Sequence, residues 1–486
     1  MKNYAKWLVL ALCLVLCLAV FAGCTDGDKP SNSQTPGQQT TGAADPTSAP
    51  TEDKPVAARY MKAGETYRIL IWSNAVEDQE LQTEGIRGQL LNEAYNRMKE
   101  QYGVTPLYIA APADWLGETM NSVDAGAPIT DLFHFGGPFT LPGIYTHGGE
   151  RGAILEAISD YDIDFSDGEY WDQTSQATGT FDGKQYVIAP NAIGFDAVSV
   201  NVVTFFNKSL IKKAGYTADQ LYDWSNNGEW TFDKFREVVL ACTDLDNGVY
   251  GTTLNQNALL MSTMIASNGS DMITKKNGVD TFNMLDSKAL TAINYLVDMC
   301  KNDKSVMVDF NAEEAATFAA GTAALMVTYS NRLDVKSVKD MADDYGILMP
   351  PKGPDATEYI SDMNWFTGYL VLKKIPNPAG AIEFANFFMK PAYAKSSPDQ
   401  AALMAAQGEA YRLDAKSIEI LNKVQNVSHT TSYMIYWSCA SGSDSIASIC
   451  NYQFPSFVDG SLSPDTYYAS VESLANSILN TAMGIQ

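Results

Sequence analysis

The sequence predicts an α/β protein whose body holds a parallel sheet and is large enough for two separate cores. Three observations predict it. Strand-like and helix-like segments alternate along the body, the pattern of βαβ units. About 430 of the 486 residues remain once the polar and signal-like N-terminus is set aside, enough to build two lobes. Hydrophobic residues make up 46% and aromatics 11%, the balance of a globular chain.

Tyr67–Trp72 reads as the first strand, apolar through its end. A helix follows from about Glu84 to Tyr102, with Leu90, Leu91, Tyr95 and Met98 on one stripe and Gly103 stopping it. Val104–Ala110 is a strand, Trp115–Ala125 a helix and Ile129–Phe133 a third strand. Asp182-Gly183 between β-rich runs is a hairpin turn, and Val198–Phe206 is a further strand. Asn207 opens a helix ending near Gly215, and Thr231 is an N-cap for the next helix. Helices at Ser287–Lys301 and Ala312–Ala320 precede a strand at Ala323–Thr328. Tyr345–Met349, Phe366–Leu372, helix Pro378–Met389 and a last helix Tyr467–Met483 complete a second α/β set.

The N-terminus sets the compartment. Lys2 and Lys6 precede an apolar run, Trp7–Phe21, too short for an ordinary membrane span. It ends at Phe21-Ala22-Gly23-Cys24, which resembles a bacterial lipobox with Cys24 as the lipidated residue. Phe21 stands where that motif usually has Leu. Thr25 to about Pro55 is Thr, Ser, Gly, Pro, Gln and Asp, too polar to offset its ordering entropy, and reads as a tether.

A net charge of −24 argues against nucleic acid and against direct adhesion to anionic lipid. Of seven Cys residues, Cys242, Cys300, Cys439 and Cys450 remain after the signal and Cys24. Cys439 and Cys450 are close enough in sequence to pair, and buried free thiols are the equal alternative. No CxxC spacing suggests zinc. Asp160–Glu169 superficially resembles a calcium loop, but Phe165 stands where an EF-hand needs Gly. No metal and no cofactor is expected.

Four stretches, in order, are similar to the family of bacterial extracellular solute-binding proteins that includes the maltose-binding protein. They are Phe181–Pro190, Phe205-Phe206-Asn207-Lys208-Ser209-Leu210, Trp230-Thr231-Phe232-Asp233-Lys234-Phe235 and Phe318–Met326. The resemblance implies a type II periplasmic-binding fold, two α/β lobes joined by crossing hinge strands and closing on a ligand. It divides the chain into a signal peptide (1–23), a tether (24–60), a first lobe (61–189 and 366–430) and a second lobe (190–365 and 431–486). The implied partners are a small polar ligand, most simply a mono- or oligosaccharide, and the membrane permease of an ABC importer. The membrane is reached through the lipid anchor alone.

Sugars present apolar ring faces and hydroxyl edges, so a site for them needs aromatic platforms beside polar side chains. Trp72 and Asn74 follow the first strand, and Asp131 and His134 flank the third. Asn255 and Asn257 lie in a polar loop, and Tyr329 and Asn331 follow the Ala323–Thr328 strand. Trp365 sits where the chain crosses back between lobes, and Trp437 offers a C-terminal platform. Trp115, Trp171, Trp224 and Trp230 read as packing residues. The rival readings are a secreted glycoside hydrolase and a receptor for a peptide or other solute. HExxH, GxSxG and P-loop motifs are absent from the sequence, and it holds three His residues, so catalysis is not expected.

Overall fold

The computed structural model describes residues 57–482, apart from 72–84, 137–151, 182, 192–199, 255–258, 278, 309–312, 366, 389, 391–393, 425–426, 431–445 and 452. The strands are β1 (Thr66–Ile71), β2 (Thr105–Ala110), β3 (Leu132–Gly136), β4 (Thr180–Phe181), β5 (Lys184–Gln185), β6 (Val200–Asn207), β7 (Tyr250–Leu254), β8 (Ile273–Lys276), β9 (Val279–Phe282), β10 (Val306–Val308), β11 (Ala323–Tyr329), β12 (Tyr345–Leu348), β13 (Ile360–Trp365), β14 (Thr367–Val371) and β15 (Ser428–Thr430).

Local chemistry explains where several elements begin and end. The Asn207 side chain accepts the N–H groups of Ser209 and Leu210, ending β6 and starting helix Lys208–Lys213. Thr231 Oγ1 accepts the N–H of Lys234 and caps helix Phe232–Cys242. Gly103, at φ +69°, turns helix Gly85–Tyr102 into β2; a Cβ there would meet that of Ala63 at 3.0 Å.

Two sheets organise the body. The first runs β14-β3-β1-β2, with β1 parallel to β2 and β3 and with β14 antiparallel to β3. The second runs β10-β7-β11-β6-β13-β15, with β12 also on β6. Each is mixed rather than purely parallel, because β14 and β6 are the strands by which the chain enters from the other sheet. β6 is antiparallel to β11, β12 and β13. β4 and β5 form the hairpin expected at Asp182-Gly183.

Each sheet has its own core. Ile69, Leu70 and Phe133 pack with Met98, Ile382 and Phe384 in the first, where Tyr67 stacks on Phe384 at 4.9 Å. Phe205, Phe206, Trp230, Phe235, Met326 and Ile347 pack in the second. Trp171 and Trp230 are fully buried, Trp115 meets Phe133 edge-on at 5.9 Å, and Trp224 is half-buried under Lys234. Cys242 and Cys300 are buried thiols, pushed up to about 12 by desolvation. Cys450 is buried too, whereas Cys439 and the pairing of the two lie outside the described residues.

Three boundaries differ from the sequence reading. The body starts before residue 61: buried Glu383, on helix Pro378–Phe388, accepts the backbone N–H groups of Arg59 and Tyr60 at 2.7 Å and of Met61 at 2.8 Å. The first lobe does not extend to 430. Tyr411, Ile420, Leu421 and Val424 join the second core, and β15 pairs with β13. An amphipathic helix declares that it has an apolar face but not which core receives it. The third strand is Leu132–Gly136 rather than 129–133, because residues 128–131 are spent on Arg68.

Candidate functional site

In α/β sheets, ligands gather beyond the carboxyl ends of the parallel strands. In the first sheet these ends are Ile71, Ala110 and Gly136. In the second, β10 and β11 run parallel to β7, β15 runs parallel to β13, and β11 and β13 are both antiparallel to β6. Leu254, Val308, Tyr329, Trp365 and Thr430 therefore share one edge.

The two edges meet. Residue 366 alone separates Trp365, the last residue of β13, from Thr367, which pairs with Gly136 at the end of β3. Two peptide steps of about 3.8 Å each span that gap. The carboxyl ends of both sheets thus adjoin at the Trp365–Thr367 link, where β13 also carries a register shift between Met363 and Trp365.

Of the ten candidate residues, Tyr329, Asn331, Trp365 and His134 are described at or just beyond these strand ends. Trp72 and Asn74 follow β1, Asn255 and Asn257 follow β7, and Trp437 follows β15; all five, like Cys24, lie outside the described residues. Trp365 is placed by its backbone, beside Val200. Tyr329 ends β11 opposite Val202 and is buried, while Asn331 is exposed in the turn Ser330–Asp334. That turn is tied down by a buried carboxylate. Glu314 Oε1 accepts from Arg332 Nε at 2.7 Å and from Thr328 Oγ1 at 3.0 Å. His134 lies one residue beyond the Leu70–Phe133 pair, buried and stacked on Tyr369 with ring centres 4.4 Å apart.

Asp131 is not brought to this junction. It precedes β3, at the opposite edge, where its carboxylate accepts Arg68 Nη2 and the Arg68 backbone N–H, both at 2.8 Å, and Arg68 Nε at 3.1 Å. Its side chain is 8% exposed, so both oxygens are committed to holding β1 against β3. The acidic stretch from Asp160 is likewise occupied: Asp160 pairs with Lys184, Asp162 with Arg59, and Glu169 binds the Ser396 backbone. A cavity of about 210 Å³ against Leu210, Cys242, Asp244 and Val249 lies ahead of the amino end of β7, away from the junction.

One residue at the junction was not among the candidates. Asn201, the second residue of β6, pairs with Met363 and is 1% exposed. Its only sequence signal is an amide inside the apolar run Val-Asn-Val-Val-Thr-Phe-Phe.

This arrangement, two α/β sheets with separate cores and crossing strands that join their carboxyl edges, defines a two-lobed binding fold of the type II periplasmic class. The chain belongs to the bacterial extracellular solute-binding protein family, whose model matches residues 122–395. Among solved structures, it is similar to the cyclic α-maltosyl-1,6-maltose binding protein from Arthrobacter globiformis (TM-score 0.62, 14% identity, 85% of this chain and 98% of that one). An ABC substrate-binding protein from Listeria monocytogenes in complex with cycloalternan is similar at TM-score 0.55 and 18% identity, over 87% of this chain and all of that one. A solute-binding protein from Thermotoga lettingae bound with α-D-tagatose aligns at TM-score 0.57 and 16% identity, over 86% of this chain and all of that one. No curated protein matches the chain.

Proposed function

We propose that the protein is the receptor of an ABC importer, binding a mono- or oligosaccharide at the junction of the two sheets and handing it intact to a membrane permease. The observation that carries this reading is the Trp365–Thr367 link, which sets the carboxyl edges of both sheets side by side. The ligand contacts are Trp72, Trp365 and Trp437 as ring platforms and Asn74, Asn255, Asn257 and Asn331 as hydroxyl partners, with Tyr329 and His134 contributing to the same site. The sugar-bound structures of similar fold support the ligand class. Lipid on Cys24 holds the receptor at the outer face of the membrane, with residues 25–56 as the tether.

A thermal-shift screen of sugars tests the binding, since a ligand selective for the folded state raises the melting temperature. Calorimetry is expected to show one saturable site, with the sugar recovered uncleaved. Cleavage that depends on this protein would make it an enzyme instead. Cys24→Ala is expected to release the protein into the medium; unchanged membrane retention would refute the anchor.

A further inference from the structure

We infer that Asn201 is a ligand-binding residue whose amide hydrogen-bonds one specific hydroxyl of the bound sugar. The inference rests on the carbohydrate reading above and names a residue within that site.

The starting point is an amide that folding does not explain. Among the described residues, neither Oδ1 nor Nδ2 of Asn201 has a hydrogen-bond partner, although the residue is 1% exposed. A buried amide without partners carries a desolvation penalty that a Val or Ile would avoid. The strand supplies such residues next door, with Val202 and Val203 both fully buried. Alternation along β6 puts Asn201 on the face of Val203 and Phe205, and Val203 pairs with Thr328. On that face, Thr328 is satisfied by Glu314. The polar groups one rung further from the edge are therefore closed among themselves, and the orphan is the one at the edge.

Its position fits a ligand contact. β6 begins at Val200, where the chain arrives from the first sheet, and Asn201 pairs with Met363, directly before the register shift and the return crossing at Trp365. It stands on one crossing strand, paired with β13, which leads into the other, where the carboxyl edges adjoin. An amide offers two donors and an acceptor. A sugar hydroxyl, donor and acceptor at once, answers that pattern, and its arrival would satisfy the group that the free protein leaves open.

The test uses the full-length protein, the best sugar from the thermal-shift screen and the monodeoxy analogues of that sugar. Asn201→Ala is expected to weaken binding about tenfold while leaving the melting temperature of the free protein unchanged or higher. Asn201→Leu, which restores bulk without polar atoms, is expected to recover none of the affinity. The deciding measurement is a cycle between protein and ligand. One deoxy analogue should bind the wild type about tenfold less tightly than the parent sugar, yet bind Asn201→Ala as well as the parent does. A merely structural residue cannot produce that selectivity. Affinity within twofold of wild type, equal losses for every analogue, or a melting temperature several degrees lower in Asn201→Ala would each overturn the inference; the last would mean the amide is satisfied inside the free protein, by an internal water. A wild type that binds no sugar fails the carbohydrate reading itself, and the inference with it.

Discussion

The two cores each contain a buried carboxylate bound to an arginine, and the pairs sit at opposite ends of their sheets. In the first, Asp131 joins Arg68 ahead of β3, at the amino edge of the parallel strands. In the second, Glu314 joins Arg332 just beyond β11, at the carboxyl edge, and fixes the turn that carries Asn331. The ion-pair chemistry is alike; what differs is the end of the sheet that each pair holds, and only the second holds the turn that carries a proposed ligand contact.

Removing one partner of a buried pair leaves the other charge uncompensated. Asp131→Ala is expected to lose about 3 kcal/mol of folding stability in denaturant titrations, with ligand affinity unchanged in the protein that remains folded. A fall in affinity would return Asp131 to the site and break the comparison. Trp365→Ala is the inverse case, expected to cost about 2 kcal/mol of binding with little change in melting temperature. Glu314→Gln keeps an acceptor and removes the charge. It should cost about 1 kcal/mol of stability and weaken binding severalfold, because the turn loosens; a stability loss with intact affinity would make this pair equivalent to the first.

The smallest effect concerns Asp414, which binds Lys208 at 2.7 Å beyond the far end of β6. Burial raises its pKa, but hydrogen bonds from Lys208, the Ser417 N–H and the Tyr222 hydroxyl outweigh that and hold it below the ordinary carboxylate value. A depressed folded pKa stabilises above the unfolded value of about 3.9 and is lost as pH falls through the folded one. Asp414→Asn should therefore flatten the acid end of a melting-temperature profile below about pH 4 and leave binding at neutral pH untouched.

What the sequence disclosed followed the range of the interactions. Thr231 capping Lys234, Asn207 capping Ser209 and the turn at Gly183 are settled within a few residues, and they were legible. The Asp131–Arg68 pair spans 63 residues, and Asp131 beside a strand end looks the same in sequence whether it faces a ligand or an arginine. The core that receives helix Ala415–Val424 is decided by the Tyr345 hydroxyl donating to the Tyr411 carbonyl and the Ile347 N–H donating to Ser417 Oγ, again over long range. Asn201 was hidden for another reason: an orphaned amide is defined by partners it lacks, and a sequence does not record them.

The Glu383 clasp also determines how the protein bears load. A pull on the chain ahead of Arg59 arrives at three consecutive N–H groups held by a single carboxylate, so the bonds share the tension rather than peel in succession. The force then passes into helix Pro378–Phe388 and the first core. If the proposed lipid anchor at Cys24 holds the chain, such a pull would load the first core, while Glu314 and Arg332 in the second lie off that path.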